Sequence, residues 1–198
     1  MNKTWLPWAI VGGVVVLIVM LAVGTYNSLV ADREKVTTAF SNVQTQYQRR
    51  ADLIPNLVNI VEGASDFEQE TLTQVIDARA KATSISIDAS TATPEDVQKF
   101  MDAQNGVTGS LSRLLAVAES YPELKSVVAY QDLMTQLEGT ENRIQIARSD
   151  YNEVARPFNT RVQTFPTNIF AGIFGFTVRP YFEASTGSEM APTIEFGN

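Results

Sequence analysis

Between Lys3 and Asp32 the chain carries no charged side chain, and from Trp5 to Tyr26 it is almost entirely aliphatic, aromatic or Gly. A helix rising 1.5 Å per residue needs about 20 residues to cross a hydrocarbon core of roughly 30 Å, so this stretch has the length and composition of a membrane span. Trp5 and Trp8 at one end and Tyr26 at the other suit the two interfaces. Pro7 falls in the first turn, where a missing N–H costs little. The competing reading is a cleaved signal, with Ala22, Val23 and Gly24 at the cleavage site. The long apolar run and a leader whose only basic side chain is Lys3 favour an uncleaved, single-pass anchor. The leader is positive while Asp32, Arg33, Glu34 and Lys35 cancel, so the charge difference puts the large C-terminal part outside the cytoplasm. A strict Lys/Arg count pulls the other way, because Arg33, Lys35, Arg49 and Arg50 all lie beyond the span.

Composition then removes most chemistry. The chain has no Cys and no His, which excludes disulfides, thiolate nucleophiles, Cys/His zinc sites and Ser-His-Asp triads within it. With 15 basic against 22 acidic residues and a formal charge of −7, it lacks the cationic surface that nucleic acid requires. Hydrophobic residues at 44% support a folded core rather than disorder. No catalytic, cofactor-binding or metal-binding residue is assigned.

Beyond Leu29 the period is helical. Val36, Phe40, Val43, Tyr47, Ala51, Ile54 and Val58 mark the apolar face of a first helix, which continues the anchor without a breaker and closes at Gly63. Pro55 should kink it, unless Asp52 caps a fresh start. Ser65 to Glu68 reads as a capping box opening a second helix that carries Leu72, Val75, Ile76, Arg79 and Ala82. Thr93, Pro94 and Asp96 announce a third, with Val97, Met101, Gln104, Leu111, Leu115 and Ala118 on one side. Gly106 and Gly109 either weaken its middle or permit close packing. After Tyr121-Pro122 a fourth helix begins near Glu123, its seam running Leu133, Leu137, Thr140, Ile144, Ala147, Tyr151, Val154 and Phe158. Those steps of four and three are a coiled-coil seam, Pro157 should kink it, and Phe165-Pro166 ends it.

Two polar or apolar groups stand out as candidate sites. Arg49, Arg50, Asp52 and Asn56 on the first helix, with Glu141, Arg148 and Asn152 on the last, form either a ligand groove or an inter-helix network that sets register. The network is the favoured reading. Ile169, Phe170, Ile173, Phe174 and Phe176 form a segment too short to span, suited to membrane or partner contact or to core packing. From Glu183 on the composition is that of a tail, in which Phe196 could dock on a neighbour. Between Glu62 and Glu119 ten acids face four bases, most simply a solvated surface.

Tyr26-Asn27, Arg49-Arg50, Asp52-Leu53, Pro55-Asn56-Leu57-Val58, Tyr121-Pro122, Leu124-Lys125, Thr140-Glu141-Asn142-Arg143-Ile144, Ala147-Arg148, Tyr151-Asn152, Asn159, Phe165-Pro166 and Gly175-Phe176 recur in an order and spacing that resembles the LemA family of bacterial membrane proteins, over essentially the whole chain. The resemblance implies an N-terminal anchor and a long helical bundle, and no enzyme activity or cofactor. The expected fold is all-α: a tail (1–4), a transmembrane helix (5–26), a long antiparallel up-down four-helix bundle (27–165), then a short apolar segment and tail (166–198). The expected function is a self-associating, non-catalytic scaffold in the bacterial inner membrane, with its bundle on the extracytoplasmic side. Its partners would be the lipid bilayer, further copies of itself and another envelope protein. The alternative is a monomeric envelope module that binds a peptide, polymer or protein through the polar groove.

Overall fold

A computed structural model of the chain describes residues 6–63 and 68–183. The described residues form six helices and no strand: α1 (Leu6–Glu62), α2 (Gln69–Ser84), α3 (Pro94–Ala118), α4 (Pro122–Ser126), α5 (Val128–Gln163) and α6 (Thr167–Phe174).

The 57-residue α1 changes character along its length. From Trp8 to Val23 its large apolar residues are all half or more exposed, and no protein surface covers them. With a mean hydropathy of 2.5, this part is a candidate membrane span by length and composition. From Leu29 onward one face is buried, and Val36, Phe40, Val43, Tyr47, Ala51, Ile54 and Val58 all lie on it, as their spacing predicts. Pro55 does not start a new helix, and Asp52 caps nothing: its carboxylate accepts a bond from Gln48 Nε2 at 2.8 Å. Proline at 55 removes the N–H that would reach the carbonyl of Ala51 four residues back. Arg79 of α2 supplies the replacement, donating from Nε to Ala51 O at 2.7 Å.

The capping box expected at Ser65 lies outside the described residues. α2 begins at Gln69, and the Glu68 carboxylate accepts from the Thr71 hydroxyl instead of capping the backbone. Leu72, Val75 and Ala82 are buried, but Ile76 is exposed, because it points about 100° away from Val75 around the helix. α3 opens as its sequence predicts, with Thr93 and Asp96 capping each other's backbone and Pro94 in the first turn. Its buried face is wider than expected and takes in Phe100, Ala103, Val107 and Leu114, whereas Leu115 is only partly covered. Nothing lies within 4 Å of a Cβ built at Gly106 or Gly109, so these glycines do not serve close packing.

The fourth expected helix is two. Val127 takes an extended conformation between α4 and α5, with Leu124 buried as the anchor of the short piece. α5 then runs through Pro157, whose missing N–H concerns the carbonyl of Glu153 on an exposed turn that water can reach. Its seam holds from Leu133 to Tyr151 and again at Phe158, but Val154 is only half-buried and Ala155, Asn159 and Val162 join the buried face. A straight helix drifts about 20° per heptad against a 3.5-residue repeat, and that drift moves the buried face by one position.

α5 packs antiparallel along α1, since Arg161 meets Asp32, Tyr151 meets Phe40 and Glu141 meets Arg50. α2 packs on α3 and α1, while α6 rests on both α1 and α5. Phe165-Pro166 is a cis peptide. Gly175 ends α6 with φ at 73°, where a side chain would be strained, and the Phe176 amide donates back to Ala171 O at 2.9 Å. The chain then runs extended beside α5 to Glu183. Phe196 lies outside the described residues.

Candidate functional site

Two apolar cores lie along the helices. One gathers Phe40, Val43 and Tyr47 with Phe100, Ile144 and Tyr151; the other gathers Ile54, Leu57 and Val61 with Val107, Leu114 and Leu137. Arg50 sits between them and is 2% exposed. Its Nη1 donates to Thr108 Oγ1 at 2.9 Å and to Glu141 Oε2 at 3.1 Å, and its Nη2 donates to Gln104 Oε1 at 2.6 Å and Gln104 O at 3.1 Å. The guanidinium carbon lies 5.1 Å from the centre of the Tyr47 ring. A buried guanidinium is tolerable only when its donors are satisfied and its charge is met, and here three helices share that task. Gln104 was expected on the core side of α3 but without this role. Thr108 was not foreseen; the signal was two polar residues four apart on an apolar face.

The expected polar set therefore divides. Arg50 and Glu141 meet, whereas Arg49, Asp52 and Asn56 are exposed and stand outside the layer. Asn152 serves a different structure, the extended segment after α6, and Arg148 joins the two, since it bonds that segment and also the Tyr47 side chain beside Arg50. The Asn152 side-chain amide donates to Phe182 O at 2.8 Å and accepts from Phe182 N at 2.9 Å. Asn159, two turns along, does the same with Arg179, at 2.8 Å and 2.7 Å. Each asparagine imitates a peptide unit and gives the strap the ladder partner it would have in a sheet. The Tyr151 hydroxyl donates to Pro180 O at 2.8 Å, Arg148 Nη2 donates to Glu183 O, and Phe182 stacks on Phe40. Arg179 is buried and donates from Nη2 to Ser90 O at 2.6 Å, tying the strap to the loop before α3. Of the apolar segment, Phe176 is buried and Phe170 is partly covered, while Ile169, Ile173 and Phe174 remain exposed.

The LemA family model matches residues 39–196, from the middle of α1 through the strap and beyond. The chain belongs to the LemA family. Magnetosome protein MamQ 2 of Paramagnetospirillum magneticum is 30% identical in an alignment covering 80% of this chain and 64% of the relative. Protein LemA of Metamycoplasma hominis is 29% identical, covering 75% of this chain and 64% of that protein. Magnetosome protein MamQ of Magnetospirillum gryphiswaldense is 28% identical, covering 79% and 64%. The chain thus spans 64% of the length of these curated relatives.

In this LemA-family chain, burial pushes the Tyr151 phenol up to about 12, against the opposing pull of Arg179. Burial likewise raises Tyr47, with Arg148 and Arg50 drawing it back, and lowers Arg179. The Ser90 and Thr93 hydroxyls and amides hold Asp88 and Asp96 below the usual carboxylate range. All these groups serve the fold: phenols that stay neutral, and carboxylates that cap turns and helices. Beside Arg50 a cleft of about 170 Å³, open to solvent, is lined by Leu111, Leu115, Met134 and Leu137, with Thr108 and Glu141 at its polar end. It offers apolar contact and a carboxylate edge, and the Arg50 donors are already engaged within the protein.

Proposed function

We propose that this protein is a membrane-anchored structural component of the bacterial envelope, a self-associating scaffold without catalytic activity. In this reading α1 crosses the cell membrane once. The helices beyond it form an antiparallel up-down four-helix bundle on the extracytoplasmic side. The observation that carries it is the continuity of α1 over 57 residues, from the uncovered apolar stretch to the two cores. A helix unbroken across the interface transmits the tilt of the span to the folded part, so neighbouring copies packed side by side would share one orientation. The relatives named as magnetosome proteins support a membrane-associated place in the cell.

Full-length protein purified in mild detergent should scatter light as particles of several protomer masses and give regular outlines in negative stain. Monomers at every concentration would remove the basis for a scaffold. A single cysteine at Ser112, exposed on α3, should react with an impermeant thiol reagent in cells whose inner membrane is intact; reaction only after that membrane is lysed would reverse the orientation.

The second reading is a monomeric binding module for a peptide, polymer or partner protein. The cleft beside Arg50 favours it, since its apolar floor suits a docked segment. The exposure of Arg49, Asp52 and Asn56 away from that cleft weighs against the polar groove drawn from sequence.

A further inference from the structure

No ionisable side chain occurs between Arg161 and Arg179, and α6 occupies the middle of that interval. Its Ala171 is buried against the rest of the protein, while Phe165, Ile169 and Ile173 are 75%, 53% and 71% exposed. Ile169 and Ile173, one turn apart, lie on the side of α6 opposite Ala171, and Phe165 stands two residues before the helix begins. A stripe of large apolar side chains with no protein over it needs a cover.

Its position says which. Tyr26, at the end of the candidate span, meets Phe174 edge-on at 5.0 Å between ring centres and Phe176 at 5.8 Å. This is the level at which α1 changes from uncovered apolar residues, ending at Val23, to the buried Leu29. Charge begins just beyond. Asp32 pairs with Arg161, and the Arg33 guanidinium stands 5.4 Å from the Phe176 ring. Six residues of helix separate Tyr26 from Asp32, about 9 Å, which is comparable to the depth of a headgroup layer.

We propose that α6, with Phe165 just before it, is a second membrane contact, an interfacial foot whose Ile169 and Ile173 enter the leaflet from which α1 emerges. The cover is lipid at the boundary between headgroup and acyl chain, where short amphipathic helices lie with their apolar face buried. The span alone leaves the rod free to tilt and to turn about its axis. A foot beside the exit point restricts both. The inference rests on the anchor reading of α1 and is independent of self-association.

The chain has no cysteine, so single-cysteine variants of the full-length protein can carry an environment-sensitive fluorophore. The variants are Ile169→Cys, Ile173→Cys, Leu17→Cys within the span and Ser112→Cys on α3, reconstituted in phosphatidylcholine–phosphatidylglycerol vesicles. Labels at 169 and 173 should lose most of their emission to a nitroxide on the upper acyl chain and little to iodide, with the reverse at 112. If iodide quenches 169 and 173 as it does 112 while lipid nitroxide still quenches 17, the foot fails and the anchor stands. Labels at 169 and 173 shielded from both quenchers, and opened by diluting protein into lipid, would show a second copy as the cover and overturn the proposal. A label at 17 that lipid nitroxide does not reach would overturn the anchor and the foot together.

Discussion

Arg50 shows how one residue can be costly and still specify a structure. Stripped of partners, a buried guanidinium would oppose folding by several kcal/mol. With acceptors from α3 and α5 it instead ties three helices at one level between two apolar cores. Arg50→Ala should cost about 3–5 kcal/mol in denaturant unfolding, since it opens a cavity and strands Gln104 and Thr108. Glu141→Gln should cost less, about 1–2 kcal/mol, because the 41%-exposed carboxylate is already shared with water. An Arg50→Ala protein as stable as the parent would end the idea that this layer sets register. Tyr151 makes a pH prediction. Its phenol ionises at about 12 in the folded protein against 10.0 ordinarily, so the fold favours the neutral form. That stabilisation is complete below pH 10 and is lost as pH rises through about 12. Tyrosinate absorbance should keep a late component from the buried Tyr47 in Tyr151→Phe but lose the Tyr151 part of it, together with the bond to Pro180.

Elements were legible where local chemistry decides them. Thr93, Pro94 and Asp96 start α3 because a hydroxyl and a carboxylate three residues apart can satisfy each other's backbone donors. The buried face of α1 came from its spacing. The break at Val127 was not legible, since no proline or glycine marks it. The helices of Pro55 and Pro157 run on past them, since a proline ends a helix only if nothing else serves the orphaned carbonyl. At Pro55 the substitute is Arg79, a residue of another helix. Arg79→Ala should therefore destabilise by about 1–2 kcal/mol. In a Pro55→Ala background, where the helix supplies its own N–H to Ala51, the same change should cost less. A double-mutant cycle by thermal unfolding measures the difference, and strict additivity would count against the compensation.

For the whole molecule, the interval free of charge from Trp5 to Tyr26, the helical periods and the absence of Cys and His are properties of the chain alone. They determined an all-helical protein with one helix apolar enough to cross a membrane, because hydrophobic length and periodicity are local quantities. Of the polar candidates, the pairing of Arg50 with Glu141 was foreseen, but not the share of Thr108, nor the solvent-facing positions of Arg49, Asp52 and Asn56. The residues from Gly175 to Glu183 carry no periodicity that announces an ordered strap. Asn152 and Asn159 order it by offering an amide at the right level, from positions 30 and 20 residues away in sequence. Which polar groups meet, and which apolar stripe is left uncovered beside Tyr26, depends on how helices distant in the chain are rotated against one another. That rotation comes from packing the two cores together, and no single segment contains it.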